Sequence, residues 1–127
     1  MRTIKIKSKA ICDVTAELFE TKNPKTVDAI WLALPLKARA NTWGNEIYFD
    51  IGVKISGENA QQTVEKGDLG YWPPGNAFCI FFGLTPASIG NEIRAASPVN
   101  VFGKITGNPE VFKKVRENDE IIIDKAD

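Results

Sequence analysis

The sequence predicts a mainly β protein, a closed eight-stranded antiparallel β-barrel whose ends are capped by two short helices. About eight short segments are either fully apolar or alternate apolar with polar residues, as strands do. Glycine, proline and asparagine separate these segments. Two Asn-Pro pairs, at 23–24 and 108–109, open the helical segments. Because no strand is obviously an edge strand, we expect the sheet to close on itself.

The first two strands are predicted between Ile4 and Leu18, with a turn at Ser8-Lys9. Apolar residues fall on the even positions of this stretch, and lysines, acids and threonine fall on most odd positions. This period of two is typical of strands with one wet face. The lysine side chains are therefore interpreted as a solvated face rather than a binding patch.

A helix is predicted to begin at Asn23-Pro24, with asparagine as the cap and proline in the first helical position. Its apolar stripe repeats at helical spacing and ends before Pro35. The stripe consists of Val27, Ile30, Trp31 and Leu34.

Two further strands, over residues 37–43 and 45–55, are predicted to flank a tight turn at Gly44-Asn45. Ile47 and Phe49 share the inward parity, and the opposite parity faces outward. The outward side chains are Arg39, Asn41, Trp43, Glu46, Tyr48 and Asp50. Residues 57–63 are predicted to form a polar loop.

The stretch 66–86 is the most informative of the chain. A strand ends in Tyr71-Trp72, a Pro-Pro-Gly turn follows, and the next strand, 77–82, is apolar on both faces. A strand of this kind needs cover on its outer face as well as on its core face. A loop over 85–98, a strand over 100–106, a short helix from Asn108 and a last strand over 120–125 complete the prediction.

Length and charge limit the classes of function. At 127 residues the chain fits one domain, residues 1–127. Its 16 basic and 16 acidic side chains cancel, so no net field favours nucleic acid or an anionic membrane. No apolar run approaches the ~20 residues of a membrane helix, and the N-terminus lacks a signal-peptide core. We therefore expect a cytoplasmic protein without nucleic-acid or membrane partners.

The absence of histidine excludes the catalytic triads, Cys-His pairs and metal sites that need an imidazole. Cys12 and Cys79 lie far apart in sequence, and both are predicted to be buried free thiols. No tight acidic cluster indicates a metal site, and no motif indicates a cofactor. Glu46 and Asp50 would stand ~13 Å apart on a strand, too far for a glycosidase pair.

Several motifs together resemble the cyclophilins. Residues 17–20 (E-L-F-E) with 23–27 (N-P-K-T-V) are similar to the cyclophilin passage from strand to helix. Residues 67–80 are similar to its glycine-marked strand pair, and 101–105 (V-F-G-K-I) to its V-F-G-K-V strand. The order and spacing match along nearly the whole chain.

The resemblance is closer to a small prokaryotic cyclophilin-like family that carries N-T-W-G-x-E-I-Y-F, G-Y-W-P-P-G and F-F-G-x-T-P. These motifs stand here at 41–49, 70–75 and 81–86. The family implies the cyclophilin barrel, and its biochemical role is unassigned.

Cyclophilins are prolyl isomerases, so the resemblance implies that activity as an alternative. Their catalytic arginine falls near Asn41, and the glutamine before their pocket phenylalanine falls at Ala77. The pocket phenylalanine falls at Cys79, with Phe81 on the same face, and another phenylalanine falls near Glu46. Their tryptophan-and-histidine loop has no counterpart, because 85–98 contains neither residue. Most donors of the isomerase site are thus missing.

Three hypotheses follow. The first is a binding module for a peptide, including a proline-containing one, or another small ligand in an aromatic groove on the outer barrel face. The second is a weak isomerase in which Arg39 and Asn41 supply the donors. The third is a homo-oligomer formed through the apolar outer strand. The predicted groove consists of Asn41, Trp43, Glu46, Tyr48, Tyr71, Trp72, Pro73, Pro74, Cys79 and Phe81. The alternative for Trp72-Pro73-Pro74 is a rigid corner of the barrel.

Overall fold

The fold is known from a computed structural model that describes residues 2–126. One α-helix, ten strands and two short 3-10 segments make up this range. In chain order they are β1 (Thr3–Ser8), β2 (Ile11–Leu18), α1 (Pro24–Ala33), β3 (Leu36–Arg39), β4 (Asn41–Thr42), β5 (Glu46–Asp50), β6 (Gln61–Val64), β7 (Asp68–Trp72), the 3-10 segment Pro73–Gly75, β8 (Ala77–Phe81), β9 (Ile93–Ile105), the 3-10 segment Pro109–Lys114 and β10 (Glu120–Lys125).

The strands form one antiparallel sheet in the order β3-β10-β1-β2-β9-β7-β8-β5-β4, with β6 paired to β9 outside this path. The predicted mainly β, antiparallel fold is confirmed. The prediction of a closed eight-stranded barrel is wrong, because within residues 2–126 the sheet has ten strands and no ladder joins its two ends.

Ala40 lies at the junction of the two end strands of the sheet. It is the single residue between the end strands β3 and β4. Its N–H donates to the Asp119 carbonyl at 2.8 Å, and its carbonyl accepts from the Asn118 N–H at 2.7 Å. The backbone at the junction is therefore satisfied by the turn before β10.

The two additional strands come from segments that the sequence predicted differently. The predicted strand 37–43 is divided at Ala40 into β3 and β4. Residues 61–64, predicted mostly as polar loop, form β6. They pair with β9, which begins at Ile93 inside the predicted loop 85–98.

Two apolar clusters lie on the two sides of β8. The inner core, which includes Phe49, Phe78, Ile80 and Phe102, fills the inside of the curved sheet under α1. The outer core lies on the other side and consists of Val64, Ala77, Cys79, Phe81, Ile93, Ala95, Val99 and Val101. All five residues of β8 are buried. The expectation that this strand is covered on both faces is confirmed, and β6 with the first half of β9 supplies the outer cover.

The helix α1 begins at Pro24 and buries Val27 and Ile30, as predicted. Asn23 occupies the N-cap position, as predicted, but its side chain makes no capping hydrogen bond. The Glu58 carboxylate instead accepts from the backbone N–H groups of Lys25 and Thr26, at 3.1 and 3.2 Å. The Asn23 side chain is fully buried and donates to the Val101 carbonyl at 2.7 Å.

The second predicted helix is a 3-10 segment, in which the Asn108 side chain accepts from the Glu110 N–H at 3.0 Å. The predicted strand pair at the N-terminus is confirmed as β1 and β2. Its register shifts between Ile6 and Ser8, and this breaks the alternation so that Cys12 and Asp13 are both exposed. The prediction that Cys12 is buried is therefore wrong, whereas Cys79 is buried as predicted.

Among residues 2–126 the one cis peptide bond is Leu34–Pro35, so the Trp72–Pro73 and Pro73–Pro74 bonds are trans. No helix in the described range has the length and apolar character needed to cross a membrane.

Candidate functional site: an aromatic cavity

A cavity of about 220 Å³ lies on the outer side of the sheet, between the β4–β5 turn and the first half of β9. We call it the aromatic cavity. It is lined by Trp43, Glu46, Tyr48, Trp72, Ala95, Ala96 and Val99. The three aromatic side chains are partly exposed, whereas Glu46, Ala95 and Val99 are buried. The cavity thus has aromatic walls and one acidic group.

The tight turn at Gly44-Asn45 positions two of these side chains. Trp43 and Glu46 exchange both backbone hydrogen bonds, at 2.9 and 3.2 Å. Gly44 has a φ of 60°, and a Cβ there would lie 2.7 Å from Pro86 Cδ. Glycine is therefore required for this turn. Tyr48 follows Glu46 on the same face of β5, because side chains two apart on a strand share a face.

Trp72 forms the opposite wall at the end of β7. Its indole N–H donates to the Ser97 hydroxyl at 2.6 Å. A Cβ at Gly75 would lie 2.8 Å from the indole ring, so the 3-10 turn packs directly against it. The ring is therefore held from two sides.

Glu46 is the buried acid of the aromatic cavity, with 6% of its surface exposed. Burial raises the pKa of its carboxyl to about 7, although the neighbouring Cys79 thiol acts in the opposite direction. Burial and the neighbouring Glu46 charge raise the pKa of Cys79 well above its usual value. Among residues 2–126, no lysine or arginine forms an ion pair with Glu46.

Four of the ten predicted groove residues line the aromatic cavity, namely Trp43, Glu46, Tyr48 and Trp72. Cys79 and Phe81 face the same side of the sheet but are buried in the outer core. Pro73 and Pro74 lie in the 3-10 turn after Trp72.

Tyr71 points the other way, into the inner core. Its hydroxyl donates to the Val53 carbonyl at 2.6 Å and accepts from the Ile55 N–H at 3.0 Å. The adjacent Trp72 faces the opposite side, as neighbouring strand residues do.

The two candidate catalytic side chains, Arg39 and Asn41, both donate to backbone carbonyls. The Asn41 amide donates to the Tyr48 carbonyl at 3.2 Å. The exposed Arg39 side chain donates to the Asn118 carbonyl at 3.1 Å. Neither side chain lines the aromatic cavity.

The sequence prediction missed the wall supplied by Ala95, Ala96 and Val99. Two of them fall in the predicted loop 85–98, and the third precedes the predicted strand at 100. The signal in the sequence that could have found them is the alternation of apolar Ile93 and Ala95 with the charged Glu92 and Arg94.

A second depression of about 500 Å³ is lined by Val64, Glu65, Lys66, Gly83, Leu84, Asn91, Glu92 and Ile93. Its charged side chains already have partners: Glu65 binds Lys104, Lys66 binds Glu110 and Glu92 binds Arg94. No three Asp, Glu or Cys side chains within residues 2–126 converge as metal ligands would. The aromatic cavity is therefore the better candidate site.

Comparison with known proteins gives a family and several structural relatives. The family model described as cyclophilin-like matches residues 2–124. A hypothetical protein of Archaeoglobus fulgidus, known from its solution structure, is 42% identical, with a TM-score of 0.85 over 98% of this chain and 95% of that chain. None of the curated proteins matches.

Two more distant structures share the fold. McbB, solved in complex with tryptophan, is 14% identical with a TM-score of 0.72, over 95% of this chain and 44% of that chain. A cyclophilin-type peptidyl-prolyl cis-trans isomerase of Cryptosporidium parvum is 18% identical with a TM-score of 0.61, over 99% of this chain and 98% of that chain. The family match, the motifs and these folds agree, and the chain belongs to the cyclophilin-like family.

Proposed function

We propose that this protein is a binding module whose ligand, a small molecule or one side chain of a peptide, enters the aromatic cavity. The observation that carries the proposal is a recess walled by Trp43, Tyr48 and Trp72 with a single buried acid, Glu46, that has no cationic partner in the described chain. Binding sites typically combine an apolar lining with a few polar groups that orient the ligand.

The size of the cavity limits the ligand. Its volume of about 220 Å³ is smaller than the ~300 Å³ at which pockets for drug-sized molecules begin. An apolar cavity of roughly 150 Å³ holds benzene. The ligand, or the part of it that is enclosed, is therefore somewhat larger than one aromatic ring.

The walls support binding without rearrangement. The Trp72 ring is held by Ser97 and Gly75, and Trp43 sits on the tight turn. Ordered aromatic side chains supply contact area at a small loss of conformational entropy. A preformed recess of this kind favours affinity for a small ligand.

No specific observation favours the alternative of an atypical prolyl isomerase. That chemistry needs a donor aimed at the proline nitrogen. The Arg39 and Asn41 side chains donate to backbone carbonyls and lie outside the cavity lining. For a homo-oligomer, the outer face of β8 is covered by β6 and β9 of the same chain, so that surface is not free for a second copy.

The test is NMR with the three tryptophans as reporters. Trp43 and Trp72 line the aromatic cavity, whereas Trp31 packs on α1 against the inner core and serves as the internal control. The protein is titrated with a set of proline peptides and with a library of small aromatic and aliphatic fragments. Proline cis-trans exchange is recorded in the same samples.

We expect some probes to shift the indole signals of Trp43 and Trp72, leave that of Trp31 in place and cause no faster proline exchange. Shifts confined to other surfaces, or none with any probe, would overturn the proposed binding site. Accelerated exchange that is lost in Arg39→Ala would support the isomerase instead.

A further inference from the structure

We propose that the ligand of the aromatic cavity carries an alkylammonium group, with its positive charge against the Glu46 carboxylate and its carbon substituents against the indole rings. This inference rests on the proposed binding function and specifies its chemistry. It follows from two observations. One buried acid lies among aromatic walls, and Trp31, which is outside the cavity, already contacts cationic side chains of the protein.

The Glu46 side chain lacks a partner that could neutralise it. It is 94% removed from solvent, and its backbone groups are already used by Trp43. The thiol of Cys79 is a weak donor without charge. A buried carboxylate is stabilised chiefly by a cation with which it can form charge-assisted hydrogen bonds or close contact. Since residues 2–126 supply no such cation, a ligand is the available source.

The aromatic walls favour the same group. A cation over the face of a tryptophan ring is attracted by the negative charge of its π system. Trp31 already has such cations from the protein, because Arg2 and Lys125 lie 5.5 and 4.8 Å from its ring centroid. No corresponding contact of the described residues occupies Trp43 or Trp72. Their rings are left for a cation that comes from outside.

The carbon substituents match the rest of the lining. Ala95, Ala96 and Val99 contribute methyl groups, and an alkylated ammonium has an apolar surface that packs against them. A strongly hydrated inorganic cation would gain little from these walls. The combination of acid, aromatic rings and small aliphatic side chains therefore favours an organic ammonium.

Few other ionisable groups face the acid. Tyr48 on β5 lines the cavity and Cys79 on β8 lies beside Glu46. On β9, Arg94 is next to the lining residue Ala95 and is ion-paired with Glu92 at 2.5 Å. The side chains that β7 and the β4–β5 turn add to the lining are Trp72 and Trp43, which do not ionise.

Because the pKa of Glu46 is about 7, an ammonium that needs the ionised carboxylate binds more weakly as the pH falls below this value.

The experiment uses choline as the probe and 3,3-dimethylbutan-1-ol as its uncharged analogue of the same shape. Neither probe titrates in this range, so any pH dependence comes from the protein. Affinities for the whole chain are measured from the Trp43 and Trp72 indole signals at pH 8.5 and 5.5. A tripeptide Gly-trimethyllysine-Gly tests whether the ammonium is carried by a peptide or by a free small molecule.

We expect choline to bind about tenfold or more tightly than the alcohol at pH 8.5. This preference should decrease as the pH falls below 7 and be nearly absent at pH 5.5, where the Glu46 carboxyl is mostly protonated. Glu46→Gln keeps the shape of the side chain and should remove the preference for choline over the alcohol. The Trp31 signal verifies that this variant is folded, and the pH series on the wild type provides a second measurement that needs no variant.

Equal affinity for choline and the alcohol, or a preference that persists in Glu46→Gln, would overturn the ammonium proposal and leave the binding module intact. The same holds if only uncharged fragments shift the indole signals. If no probe or fragment shifts them, the binding function itself fails. Tighter binding of the tripeptide than of choline would assign the ammonium to a peptide side chain, and the reverse would assign it to a free small molecule.

Discussion

At the scale of single residues, Glu46 makes the stability of the protein depend on pH. Its pKa is about 7 in the folded chain because of burial, against 4.5 as the ordinary value. Between these two values the folded state holds a proton that the unfolded chain has released. The stabilisation of the folded state by the proton on Glu46 is therefore complete below about pH 4.5 and is lost as the pH rises through 7.

The corresponding prediction concerns Glu46→Gln. Glutamine cannot ionise, so this variant should gain up to about 3 kcal/mol over the wild type at pH 8 and almost nothing at pH 4.5. Urea unfolding of both proteins at several pH values measures the difference. The exposed Glu17→Gln is the matched control and should show no such trend. A difference that is constant across pH would contradict the burial of an ionisable Glu46.

At the scale of elements, α1 shows how a helix can be capped from a distance. Its first N–H groups are satisfied by Glu58, which belongs to a loop more than thirty residues further along the chain. That loop is fixed in turn, because the Glu58 N–H donates to the buried Asn100 side chain at 2.9 Å. The start of the helix is thereby tied to β9.

For Glu58→Ala we expect a loss of about 1 kcal/mol in the free energy of unfolding, the usual effect of removing a helix cap. Glu65→Ala is the matched control. Glu65 forms an exposed ion pair with Lys104, and its removal should change stability by less than about 0.5 kcal/mol. Urea unfolding measures both variants. Equal effects of the two substitutions would mean that Glu58 contributes no more than a surface charge.

At the scale of the whole molecule, β9 connects the two parts of the sheet. Its second half pairs with β2 on one side and β7 on the other, and its first half covers the outer face of β8. Strands β2 and β9 approach each other closely at Gly103, where a Cβ would lie 2.7 Å from the backbone carbonyl oxygen of Glu17. The absence of a side chain there lets β2 and β9 pair.

Gly103→Ala should therefore destabilise the protein by about 1–3 kcal/mol, because a backbone carbonyl cannot move aside as a side chain tip can. Gly57→Ala is the control, since a Cβ there meets no atom within 4 Å. Thermal and urea unfolding compare the two variants. A Gly103→Ala protein as stable as the Gly57→Ala protein would show that the β2–β9 pair is less tightly packed than the structure indicates.

The parts of the fold that depend on local spacing could be predicted from the sequence. The alternation in β1 and β5, the Gly44-Asn45 turn, the start of α1 at Pro24 and the double burial of β8 each follow from residues close together in the chain. Among the site residues, Trp43, Glu46 and Tyr48 were predicted together because they surround one turn. Side-chain parity on a strand is a local property.

Only the tertiary structure decided how these elements meet. The end strands β3 and β4 are consecutive in the chain yet stand at opposite ends of the sheet order, and β8 is covered because residues 93–99 cross over it. The same segment, 93–99, also supplies Ala95, Ala96 and Val99 to the lining of the aromatic cavity. Sequence patterns report which face of a segment is apolar, whereas contacts between distant segments depend on the packing of the whole chain, and that packing is what encloses the aromatic cavity.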